Sequence, residues 1–143
     1  MSAASEQKAI IDIMYQSFMD QYHDEKKAIG AIKYIGQKVQ EPGCKLMHFG
    51  NTVFIVTVSG KNMVEVHAMV GGMLTEAQKA KEIDKEMTKL IDQLKTFGTK
   101  LLYTYMPPDK EVMFGEILKE YQFRKTNITG PDGKPYVAFY VTL

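Results

Sequence analysis

The 143-residue chain reads as an α+β domain: a mixed sheet with an antiparallel meander, one parallel crossover and flanking helices. Three observations predict this. Short strand-like runs between residues 45 and 70 are joined by two- and four-residue turns, which only antiparallel neighbours can use. A long amphipathic stretch, 75–97, separates the third run from a fourth, LLYTYM. A helix between two strands implies parallel pairing through a right-handed crossover. Two more helical patterns precede the meander, and a helix with a terminal hairpin closes the chain.

The first helix is expected from Ser5, a good N-cap, to Tyr22. Ile10, Ile11, Met14, Phe18 and Tyr22 recur at three- and four-residue spacing and make one apolar stripe. The second helix is expected over 24–40, burying Ala28, Ile32, Ile35 and Val39, and Pro42-Gly43 ends it. Strands follow at 45–49, 52–58 and 63–70. Gly50-Asn51 is a two-residue hairpin turn with both residues suited to positive φ, and Ser59 to Asn62 makes the next turn. In the long helix, Thr75 with Gln78 fits a capping box. Its buried face holds Ala77, Ala80, Ile83, Met87, Leu90, Ile91 and Leu94, and Gly98 stops it. The fourth strand is expected over 100–106. The last helix is expected from Asp109, its N-cap, to Tyr121. Phe123 to Thr126 and Tyr136 to Leu143 are the closing strands, joined through a Gly130-Pro131-Asp132-Gly133 turn.

Length and composition fit one domain over residues 1–143. The net charge of +1 leaves no basic field, and of 18 basic residues only Arg124 is an arginine. Arginine dominates bidentate recognition of phosphates and base edges, so nucleic acid is not an expected partner. The polar N-terminus lacks a signal-peptide core, and no apolar run reaches membrane-spanning length. A soluble, intracellular, cytoplasmic protein with no membrane partner is the expectation. Cys44 is the only cysteine, which excludes an internal disulfide. His23, His48 and His67 lack metal-ligand spacing, so no metal is expected. P-loop, GxGxxG and GxSxG motifs are absent.

The order of helix, helix, three-strand meander, helix, strand, helix and hairpin resembles the GCN5-related N-acetyltransferase (GNAT) fold over nearly the whole chain. The closest local match is GEILKEYQFRKT, residues 115–126. It looks like the family's late helix and strand, where Tyr-x-x-x-Gly-Phe endings are common, with Gln122 standing where glycine is usual. The family's cofactor signature runs Arg or Gln, two residues, Gly, one residue, then Gly or Ala. Here the connection is Val70-Gly71-Gly72-Met73-Leu74-Thr75, shorter and without arginine.

The resemblance implies acetyl-CoA as cofactor, with its pyrophosphate against the backbone of Val70, Gly71, Gly72, Thr75 and Gln78. Lys79 or Lys81 would add positive charge there, while Glu76 would repel an anion. Acyl transfer to an amine needs a base for the ammonium proton and an acid for the leaving thiolate. Glu65 and His67 share one strand face by period-two alternation and are the candidate bases. Tyr121 falls roughly where the family has a tyrosine acid. Tyr103 and Tyr105 alternate on one face of the fourth strand, lining a pocket or filling core.

Two functions are consistent with this resemblance. One is an N-acyltransferase moving an acetyl group to an amine, small or on a protein. The other is a catalytically inactive GNAT-fold protein of a bacteriophage, assembling with protein partners in the virion or as a homo-oligomer. A gap between the third and fourth strands that is open toward Gly71-Gly72 favours the enzyme. A plugged gap favours assembly.

Overall fold

A computed structural model describes residues 3–143, apart from the side chain of Met113. Helices α1 (Ala3–Tyr22) and α2 (Glu25–Lys38) precede strands β1 (Cys44–Phe49), β2 (Thr52–Gly60) and β3 (Met63–Val70). Helix α3 (Glu76–Thr96) leads to β4 (Leu101–Met106). A 3-10 turn (Pro108–Lys110) opens α4 (Glu111–Glu120), and β5 (Arg124–Thr129) and β6 (Pro135–Thr142) close the chain. The strands form one six-stranded sheet in the order β1-β2-β3-β4-β6-β5. β3 and β4 are parallel and every other pairing is antiparallel, as the meander and the crossover helix require.

The sheet is covered on both faces. α3 and α4 pack on one, where Met87, Leu90, Leu94 and Leu118 meet Phe54, Val66 and Phe139. α1 and α2 pack on the other, where Ile13, Met14 and Ile35 meet Val53 and Met69. Most residues of the apolar stripes read from the sequence are at least partly buried, but Ile11 and Tyr22 of α1 and Ala77 of α3 are exposed, and Ile13, outside the expected stripe, is buried. Among the described residues no helix is long and apolar enough to cross a membrane.

Several local expectations need correction. α1 already includes Ala3, so Ser5 lies inside its first turn and does not cap it. In the β1–β2 turn only Gly50 takes positive φ, +56°, and Asn51 does not. That places glycine at the first central position, as a type II′ turn requires. Asp109 sits within the 3-10 turn, and α4 begins after Lys110 with no side-chain cap. β5 is longer than expected and lies fully exposed at the sheet edge. Gln122 adopts φ +66°, which explains why glycine suits that position between α4 and β5.

Candidate functional site

The parallel ladder between β3 and β4 is short. It pairs Met63 with Leu101, Val64 with Leu102 and Glu65 with Tyr103, and then stops. Beyond it the facing backbone edges of residues 66–70 and 104–106 have no ladder partner, because β4 stays paired with β6 while β3 stays with β2. A cleft of about 540 Å³ occupies this splay. Its walls are Val66, His67 and Val70 from β3 and Thr104 to Met106 from β4. α3 and α4 contribute Lys79, Ile83, Phe114 and Leu118, and α1 contributes Ser17 and Asp20. The gap is therefore open and reaches from one face of the sheet to the other. Its volume falls in the range of small-molecule sites.

His67 stands on the wall of this cleft. Its Nε2 lies 3.0 Å from Glu65 Oε2, two residues earlier on the same strand face. The other oxygen of Glu65 accepts a hydrogen bond of 3.2 Å from the Tyr103 hydroxyl, its register partner on β4. The Tyr105 ring meets His67 edge-on at 4.7 Å between centroids, and Tyr136 packs edge-on against Tyr105 at 5.7 Å. Burial raises the Tyr105 phenol above its ordinary range, and the Glu65 charge adds to this, so the hydroxyl stays protonated at neutral pH. A carboxylate on Nε2 fixes the proton there in the neutral tautomer and leaves Nδ1 as the acceptor.

Tyr121 is placed elsewhere. Its ring packs against the α3/α4 core, and its hydroxyl donates to the Asp84 carbonyl at 3.2 Å and the Asp84 carboxylate at 3.1 Å. It does not line the cleft, whereas Leu118, one turn earlier, does. Tyr105 is the phenol on the wall. Its period-two position on LLYTYM was legible, but its distance from His67 required the sheet order.

At the α3 end of the cleft, the capping box forms as the sequence predicts. Gln78 N–H donates to Thr75 Oγ1 at 3.2 Å, and Thr75 N–H donates to Gln78 Oε1 at 2.9 Å. Gly71 is clamped to the β1–β2 turn: its N–H donates to the Asn51 carbonyl at 3.0 Å, and Asn51 Nδ2 donates to its carbonyl at 2.7 Å. Val70 is buried at the end of β3. Gly72 has φ +99°, and its open side faces Leu74. Lys79 pairs with Asp20 at 2.5 Å and with Glu76 at 3.6 Å, and Lys110 pairs with Glu76 at 3.0 Å. The acids and lysines at this mouth cancel in charge.

Protein-family models contain no match to this chain, and neither do curated proteins. Solved structures do match. Aminoglycoside 6′-acetyltransferase type Ii superimposes with a TM-score of 0.69 at 10% identity, covering 99% of this chain and 92% of that one. AAC(6′)-Ib, solved with ribostamycin and coenzyme A, gives 0.66 at 12% identity over 99% and 90%. A Desulfovibrio desulfuricans protein described as a GNAT-family acetyltransferase gives 0.67 at 9% identity over 95% and 92%. The chain has the GNAT fold. At these identities the likeness is one of fold. The parallel pairing of β3 and β4, with α3 across them, is the part of the GNAT fold that creates the cleft.

Proposed function

We propose that this chain is an N-acyltransferase of the GNAT fold, taking an acyl group from acetyl-CoA to an amine, with His67 as the base. The observation that carries this reading is the open β3–β4 splay with His67 on its wall and Glu65 behind it. The unpaired backbone edges of residues 66–70 and 104–106 suit the two amides of a pantetheine arm, and Met106, Phe114 and Leu118 suit its apolar segments. When bound, the coenzyme would supply the acyl group as an activated thioester.

The protein's own residues act on the amine. An ammonium cannot attack, so it must first lose a proton, which Nδ1 of His67 accepts directly or through one water. The Glu65 carboxylate stabilises the imidazolium formed, and Tyr103 holds the carboxylate in place. Tyr105 is a protonated phenol on the same wall and is the proton source for the departing thiolate in this reading. Tyr121 takes no part in this reading, which its hydrogen bonds to Asp84 and its absence from the cleft wall support. The amine acceptors are small molecules in this reading, as they are for the aminoglycoside enzyme among the solved neighbours. The alternative, assembly within a phage virion, calls for a plugged gap, whereas this gap is open.

The test is thiol release from acetyl-CoA with a panel of primary amines and polyamines. Amine-dependent release that is lost in His67→Ala is expected. No release with any amine at millimolar coenzyme would remove the reading.

A further inference from the structure

The arm-binding part of the cleft is built, but its phosphate end is not. Gly71 and Gly72 bear on this first. A glycine that lets backbone approach a diphosphate leaves open space where its side chain would be. At Gly71 that space is filled: a Cβ there would lie 2.6 Å from Asn51 Oδ1, 3.1 Å from Gln16 Oε1 and 3.3 Å from Ile13 Cγ1. At Gly72 it faces Leu74 of the same loop, at 3.6 Å. Gly71 therefore serves the protein's own packing, whereas Gly72 makes only ordinary contact with Leu74 and is glycine for its φ of +99°.

The helix start is similarly occupied. Of the first amides of α3, that of Gln78 is taken by Thr75 Oγ1 and that of Lys79 by the Thr75 carbonyl at 2.9 Å. The amides of Glu76 and Ala77 remain, beside the Glu76 carboxylate, which repels an anion. The two lysines at the mouth are held by Asp20 and Glu76, and the Lys79–Asp20 pair is largely shielded, with side chains 21% and 17% exposed. Gripping a diphosphate would require breaking these pairs. Arg124 lies on β5, separated from the cleft strands by β6.

We infer that the cleft recognises its acyl donor by the pantetheine arm alone and makes no use of the phosphorylated nucleotide of coenzyme A. This rests on the acyl-transfer reading of the same cleft. The ligand class is then a pantetheine thioester, with the nucleotide half of the coenzyme left in solvent. The splayed strand edges supply recognition by peptide-like hydrogen bonds, which are indifferent to charge.

Calorimetry on the full chain tests this with three probes: coenzyme A, pantetheine, and 3′,5′-adenosine diphosphate. A working grip of two charge-assisted hydrogen bonds is worth on the order of a hundredfold in affinity. Coenzyme A and pantetheine should instead bind within about threefold of each other. Their ratio should hold across added salt, and 3′,5′-adenosine diphosphate should not bind. The ratio should also survive Lys79→Ala and Lys110→Ala, with folding of each variant checked by circular dichroism. Coenzyme A binding tenfold or more tighter than pantetheine, with that excess lost in the lysine variants, would overturn the inference and leave the acyltransferase reading standing. Binding of neither coenzyme A nor pantetheine would overturn both.

Discussion

Replacing Gly71 with alanine separates a glycine kept for packing from one kept for a ligand. Gly71 lacks a positive φ, so alanine meets no backbone strain there, and the effect comes from contacts alone. The new methyl group would sit 2.6 Å from Asn51 Oδ1, well inside van der Waals contact. Asn51 cannot turn aside freely, because its Nδ2 holds the Gly71 carbonyl at 2.7 Å. Relieving the clash therefore costs that hydrogen bond, about 1 kcal/mol net. Residual overpacking against Gln16 and Ile13 adds about 1–3 kcal/mol. Stiffening the unfolded chain returns roughly 0.4–1 kcal/mol. The expected loss is about 2 kcal/mol, read from urea unfolding with an unchanged m-value. A double-mutant cycle with Asn51→Ala tests the cause. With the Asn51 side chain gone, the methyl group has room, so the Gly71→Ala loss should shrink by about 1 kcal/mol. A Gly71→Ala protein as stable as the parent, or a cycle with no coupling, would show that Gly71 is not held by this packing. Its glycine would then need a ligand to explain it.

Other expectations follow from the same geometry. Gln122→Gly should stabilise the chain by about 0.5–1 kcal/mol, visible as a rise in Tm, because Gln122 occupies the left-handed region at φ +66°. Tyr121→Phe should cost about 1 kcal/mol of stability through the lost Asp84 hydrogen bonds and leave transfer rates unchanged; a steep rate loss would return Tyr121 to the chemistry. Glu65→Gln should lower amine-dependent turnover by about 10²-fold while leaving pantetheine affinity unchanged, since the carboxylate orients the base and does not touch the arm; equal turnover would remove Glu65 from the mechanism. Tyr103 and Tyr105 both have phenols raised above the ordinary value of 10.0, chiefly by burial. Their neutral forms are favoured in the fold, so their contribution is complete below pH 10 and is lost as pH rises through the folded values. Stability measured by urea should fall above about pH 10, and less so in a Tyr103→Phe, Tyr105→Phe double variant.

The elements themselves were legible because their causes are local. The run of β-branched residues in 52–58, the capping box of Thr75 and Gln78, and the stripe from Ala80 to Leu94 each depend on neighbours within a few positions. The parallel crossover followed from chain handedness, and Glu65 and His67 were paired by strand periodicity alone. The tertiary structure decided what those elements face. Leu118 in α4 and Tyr121, which caps its C-terminal end, sit about one turn apart, and only the docking of α4 on α3 turns Tyr121 to Asp84 and Leu118 into the cleft. Asn51 and Gly71 are twenty positions apart, so the clamp that makes Gly71 a packing residue exists only once the sheet has formed. By sequence Lys79 offers positive charge for a phosphate, but α1 brings Asp20 against it and cancels that charge. Local sequence sets which conformations a segment prefers. Burial, register and charge pairing depend on residues that are distant in the chain, so they are settled only when the packed layers bring those residues together.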